Sequence, residues 1–231
     1  MRATRLIFVE GIMGAGKSTT ATFLTKHLEQ HGFSAAFMSE GGFLRLALDL
    51  PHPLAVWRDV TVDEYIARSL RKWDLFVQEA QQSASPVVTV CDGLLFHGNM
   101  TDLLLMNAEP AILERYVTQV LTRVQDLHPV AIYFVHADVA QAVRAACDAR
   151  GSKWEAYQVN WKLSSPYATQ RSLQGFEGLV QLYRSYRAVC DALFEQFTLP
   201  KLAIDNEGDW TTYYREVLTF LQLSVPPAEK T

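Results

Sequence analysis

Cysteine is scarce in this 231-residue chain. Its three cysteines, Cys91, Cys147 and Cys190, stand far apart and form no CxxC pair. An odd, scattered set excludes a disulfide framework and a cysteine-based zinc site, and it fits a reducing compartment. Long apolar runs are missing too, since none approaches the roughly 20 residues that span a bilayer. The first run, Leu6 to Val9, is cut off by Glu10 and is too short for a secretory h-region. A cytoplasmic protein without a membrane partner is therefore expected. Positive charge is not in excess either: 21 Lys and Arg against 25 Asp and Glu leave a net charge of −4. The basic footprint of a duplex nucleic-acid binder is absent. No internal repeat or low-complexity segment appears, and only the end, 226–231, reads as a loose tail.

What is present is an ordinary globular composition, 49% hydrophobic and 20% charged. A single domain over 1–225 can bury most of its apolar surface at this length. Five short runs read as strands: Leu6 to Val9, Ser34 to Ser39, Val87 to Cys91, Val130 to Val135 and Lys201 to Ile204. Four are almost continuously apolar, as parallel strands covered on both faces are. Helical periodicity lies between them, with Pro110 suited to a first helical turn and Asp138 to an N-cap before Val139. A further long helix is expected to carry Leu173, Phe176, Val180, Tyr183, Cys190 and Phe194. The alternation predicts an α/β fold, a three-layer doubly wound parallel sheet of five strands. A long connection at 41–85 is the natural acceptor-binding insertion, because ligands of such sheets bind beyond the carboxyl ends of the strands.

One motif carries chemistry without ambiguity. Gly11-Ile-Met-Gly-Ala-Gly16-Lys17-Ser18 matches GxxxxGK[ST]. A chain of this length matches by chance on the order of 1% of the time, and this match lies between an apolar strand and an amphipathic helix. Glycines let successive backbone N–H groups turn toward phosphate oxygens, and the following helix offers its positive end to the same anion. Gly11, Met13, Gly14, Ala15, Gly16, Lys17, Ser18 and Thr19 are the candidates to hold ATP, and Ser18 with Asp92 the candidates for Mg²⁺. No metal beyond that carried with the nucleotide is expected.

Other users of this loop leave marks that are missing. There is no NKxD, no LSGGQ-like segment and no carboxylate pair after the third strand, which ends Cys91-Asp92-Gly93. Elimination leaves the P-loop NTPases of nucleotide-kinase type. The segment Val9-Glu-Gly-Ile-Met-Gly-Ala-Gly-Lys-Ser-Thr-Thr20, with Ser39-Glu40-Gly41-Gly42 after strand two, resembles thymidylate kinase and its P-loop relatives, the deoxynucleoside kinases. The resemblance implies that Glu40 lies at the acceptor site and serves as the base on an acceptor hydroxyl. Those families follow strand three with an acidic residue and an arginine, where this chain reads Asp92-Gly93-Leu94.

Either Glu40 or Asp92 can be the carboxylate that handles the nucleophile. Lys17 would reach the β- and γ-phosphates. Arg150 and Arg144 are candidates to neutralise charge from a lid at 148–165, with the helix surface as their ordinary alternative. The acceptor region contains Phe43, Arg45, His52, Trp57, Arg58, Tyr65, Arg68, Arg71 and Trp73. Tyr65 and Trp73 fall on a helical stripe that favours the core. Trp57, Arg68 and Phe96 are the acceptor-binding candidates beside Glu40, with His97 and Asn99 near Phe96. The expected function is transfer of the γ-phosphoryl of Mg·ATP to a small-molecule acceptor, with a nucleoside or nucleotide among the options. An ATP-binding switch, a partner-binding protein with a vestigial loop, and a homodimer stay open.

Overall fold

The computed structural model describes residues 4–44, 56–83, 85–205 and 209–223. Arg45 and His52 of the expected acceptor region and the tail at 226–231 lie outside them. Strands β1 (Leu6–Gly11), β2 (Ala35–Met38), β3 (Val88–Asp92), β4 (Pro129–Val135) and β5 (Lys201–Asp205) form one sheet. Their order is β2-β3-β1-β4-β5 and every pair is parallel. All six residues of β1 are buried, which is why its sequence runs apolar without alternation. Glu10 is the exception in that strand.

The helices in chain order are α1 (Lys17–Gln30), α2 (Glu40–Leu44), α3 (Val56–Asp59), α4 (Val62–Gln82), α5 (Thr101–Leu105), α6 (Pro110–Val124) and α7 (Val139–Arg150). After them come α8 (Ser152–Leu163), α9 (Pro166–Gln170), α10 (Gly175–Gln196) and α11 (Trp210–Phe220). A π-helical turn, Leu94–Met100, joins β3 to α5. Local chemistry fixes several starts. Thr61 caps α4 in a reciprocal box: its hydroxyl accepts from the Glu64 N–H, and the Glu64 carboxylate accepts from the Thr61 N–H at 2.8 Å. Pro110 opens α6, and the Asp138 side chain accepts from the Gln141 N–H at 3.0 Å to open α7. Leu173 precedes α10 instead of lying in it, because the helix begins at Gly175.

Helices cover both faces of the sheet. On one side α1 and α11 meet through Phe23 and Tyr214, whose rings stack 3.9 Å apart. On the other, α4 reaches the sheet through Trp73 against Phe8, and α10 through Phe194 against Tyr133. The result is the three-layer doubly wound arrangement. Trp73 is fully buried, with its ring 4.4 Å from Phe43 and 5.7 Å from Phe76, and its indole N–H donates to the Tyr116 hydroxyl at 3.3 Å. Truncating it opens a cavity and removes one hydrogen bond from that hydroxyl, which keeps Ser69 Oγ at 2.7 Å. We expect Trp73→Ala to lower unfolding free energy by about 3–5 kcal/mol in urea titrations.

Candidate active site

Strand pairing builds the site. Val9 of β1 sits opposite Asp92 of β3, and the Gly93 N–H donates to the Val9 carbonyl at 3.0 Å. The chain then leaves β1 through the phosphate loop and enters α1 at Lys17. Gly14 has φ +78°, and a Cβ there would lie 2.7 Å from the Ala142 carbonyl oxygen of α7, so the loop lies tight against that helix. Lys17 is 8% exposed, and its ammonium donates to the Ile12 carbonyl at 2.9 Å. Burial pushes its pKa down, opposed by the nearby carboxylates of Asp92, Glu10 and Glu40. The Ser18 hydroxyl donates to Asp92 Oδ2 at 2.6 Å. Two hard oxygens thus meet beside the loop, a donor set that suits Mg²⁺ once phosphate oxygens and water complete the shell. Among the described residues no cluster of three or more His, Cys, Asp or Glu side chains could hold a metal alone.

A cleft of about 680 Å³ beside this loop is also lined from four other elements. The start of α2 brings Glu40, the π-turn brings His97 and Asn99, α5 brings Asp102, and α8 brings Trp161 and Lys162. Tyr65 of α4 braces it from behind, donating to Asp102 Oδ2 at 2.7 Å and to Asn99 Oδ1 at 3.2 Å. Lys162 is 3% exposed, with its ammonium 4.5 Å over the Trp161 ring and 5.6 Å from that of Tyr183. Burial pushes it down to about 8, against the upward pull of Asp102 and Glu40. Burial raises the pKa of Glu40, with Lys17 and Lys162 pulling it back. His97 is held well below the ordinary imidazole range, first by burial and then by Lys17, Lys162 and Arg150. It is therefore neutral near pH 7.

A solved structure of deoxyadenosine kinase from M. mycoides with bound dATP aligns with 94% of this chain and 99% of its own, with TM-score 0.51 and 16% identity. The fold is that of the P-loop kinases. A second structure of that enzyme, with products dCMP and a flexible dCDP, aligns at 14% identity and TM-score 0.46, covering 94% and 98%. No protein-family model matches the chain. No curated protein matches it either. Among the described residues no helix is long and apolar enough to cross a membrane.

The P-loop kinase fold brings several expected site residues together and keeps others apart. Met13, Gly14, Gly16, Lys17, Ser18, Thr19, Glu40, Asp92 and Arg150 all line the cleft, while Gly11 and Ala15 are buried beneath it. Glu40 opens α2 instead of ending β2, which stops at Met38. Phe96 is a correction: it is fully buried against Tyr133 and Phe197, turned away from the cleft, and its neighbours His97 and Asn99 face it. Trp57 packs behind Trp161, ring centroids 6.2 Å apart, and Arg68 stays on α4 beside Glu64 and Lys72; neither lines the cleft. Arg144 is also corrected, because its guanidinium lies 3.5 Å over the Phe176 ring and pairs with Glu155 at 2.8 Å. Lys162, Asp102 and Trp161 were missed. Trp154, Gln158, Trp161 and Lys162 stand at i, i+4, i+7 and i+8 and form one face of α8 toward the cleft, a spacing readable from the sequence.

Glu10 was missed as well. The side chain of this β1 residue is 1% exposed, and its two oxygens accept from the Leu95 N–H at 2.8 Å and the Phe96 N–H at 3.1 Å. It therefore ties the phosphate-loop strand to the π-turn that carries His97. Burial pushes it up to about 8 from its ordinary 4.5. The folded state thus holds a proton that the unfolded chain releases above 4.5, so this stabilising term shrinks as pH rises toward 8. In nucleotide-free protein, the stability difference between wild type and Glu10→Gln should drift against wild type from pH 5 to pH 8. A flat difference in urea unfolding across that range would remove Glu10 from this role.

Proposed function

We propose that this protein is an ATP-dependent phosphotransferase that moves the γ-phosphoryl of Mg·ATP to a hydroxyl of a small acceptor, a nucleoside being the favoured class. The observation that carries this reading is one cleft holding both halves of the reaction. Lys17, Ser18 and Asp92 line it together with Glu40, Asn99, Asp102 and Lys162. The kinase fold supports the reaction class. The aromatic and polar mixture of its lining supports a ring-bearing, hydroxylated substrate.

Mg²⁺, when bound, would neutralise charge on the phosphates. The loop amides and Lys17 orient the nucleotide, and Ser18 with Asp92 would hold the metal. Glu40 takes the proton of the acceptor hydroxyl as its oxygen bonds to the γ-phosphorus and the bond to the β-phosphate oxygen breaks. Its raised pKa makes it a better base than an ordinary glutamate. Arg150, whose guanidinium rests 4.5 Å over the Trp154 ring, enters from the end of α7 to meet charge on the transferring group.

The deciding assay follows ADP release from Mg·ATP with nucleosides, nucleoside monophosphates, sugars and hydroxylated antibiotics. Acceptor-stimulated release is expected, and Lys17→Ala should lower it by about 10²-fold or more while the fold persists. ATP binding without stimulation by any acceptor would replace this reading with a nucleotide switch. The two candidate arginines should separate: Arg150→Ala loses about 10²-fold in kcat. Arg144→Ala keeps kcat and gives up only about 1 kcal/mol of stability from its aromatic contact.

A further inference from the structure

We infer that His97 holds the acceptor hydroxyl together with Glu40, orienting its O–H toward the carboxylate and a lone pair toward the phosphorus. The inference rests on the phosphotransferase reading and adds a residue to it. Three observations carry it.

The first is a distance. His97 Nε2 and Glu40 Oε1 stand 4.0 Å apart, too far for a hydrogen bond between them. One oxygen can touch both at about 2.8 Å, subtending about 90° there, an angle that a hydroxyl oxygen tolerates. The second is the state of the ring. Nδ1 is buried without a hydrogen-bond partner. A proton there would be a stranded donor, which folded proteins avoid. We therefore place the proton on Nε2, the nitrogen that faces Glu40. The Nε2–H donates to the hydroxyl oxygen, and the hydroxyl proton points to Oε1. A second lone pair stays free for attack.

The third is the ground on which the imidazole stands. Gly93 has φ +68°, and a Cβ on it would lie 3.0 Å from Lys17 Cε and 3.1 Å from His97 Cβ. The bare glycine lets the Lys17 stem and His97 pack side by side, so the hydroxyl-holding atom lies next to the phosphate-holding lysine. Any side chain at 93 would push one of them away. Where the resembling kinases carry an arginine, this chain leaves a gap that His97 uses. The groups around the imidazole from other elements are Lys17 and Glu40 with Arg150 and Lys162 from the lid, and Tyr186 of α10 packs edge-on at 6.1 Å.

The test uses full-length protein, Mg·ATP and the panel acceptor that wild type turns over fastest. His97→Leu should lower kcat by about 10²-fold, with ATP affinity and acceptor KM each within threefold of wild type. His97→Gln, whose amide N–H reaches the Nε2 position, should regain most of that loss. Because both groups hold one hydroxyl, losses from His97→Leu and Glu40→Gln should combine to less than their product in the double variant. A purely structural role would instead lower ATP affinity and melting temperature together and give multiplicative losses. Should the leucine variant fail to fold, His97→Asn, whose amide falls short of Nε2, takes its place with the same expectation. Wild-type kcat in His97→Leu or His97→Asn, or multiplicative losses, overturns the inference and leaves the phosphotransferase reading standing. A wild type that binds ATP but transfers to no acceptor removes both.

Discussion

The pairing of β1 with β3 is the constraint on which the site depends. Because Val9 lies opposite Asp92, the carboxylate at the end of β3 emerges where the phosphate loop turns into α1, within 2.6 Å of Ser18. A slip of one residue would turn Asp92 toward the other face of the sheet. Glu10 adds a second tie between the same strands, since its buried carboxylate collects two N–H groups from the segment that leaves β3. Backbone pairing sets Asp92 beside the phosphate loop, and a side chain inside the sheet holds the π-turn that carries His97 relative to it.

Charge in the cleft is arranged in opposing groups. Lys17, Lys162 and Arg150 face Glu40, Asp92 and Asp102, and burial works against the charge of both lysines and of Glu40. Burial lowers the pKa of both lysines, and the largest upward pull on Lys17 comes from Asp92 and on Lys162 from Asp102. Such a cleft is poised for a phosphate that brings its own negative charge, because fixed cations in a protected site cost no reorganisation when charge arrives. His97 falls among these groups and is held well below the ordinary imidazole range first by its burial and then by Lys17, Lys162 and Arg150.

The phosphate loop was legible because it is local: eight consecutive residues between a strand and a helix specify it, and the sheet order follows from the alternation of elements. The rest of the cleft was not, because it is assembled from four elements spread along the chain from Glu40 to Lys162. Arg144 and Arg150 show the cost of reading spacing without a face. Six residues along an α-helix rotate about 240°, so both could not point into one cleft, and only Arg150 does. Glu40 and Asp92 were found through the ends of strands, where an open α/β sheet collects its ligands. Lys162 and Glu10 were not singled out, and it is tertiary packing that buries them.

The exchange of Phe96 for His97 has a sharper physical origin. An α-helical reading gives no reason to prefer either, yet the segment is π-helical, with the Gly98 N–H donating to the Gly93 carbonyl five residues back at 2.9 Å. The wider turn changes which residues share a face. Leu95, Phe96 and Met100 go to the core, while His97, Asn99 and, just beyond, Asp102 reach the cleft. Such turns are rare and need support from their surroundings. Here the support is Glu10, which takes the first two free N–H groups after Leu94, and Gly93, whose left-handed backbone starts the turn. The same glycine that removes an expected arginine is thus the residue that allows the π-turn to begin beside the phosphate loop. Loss of the arginine and gain of the imidazole are two consequences of one backbone conformation.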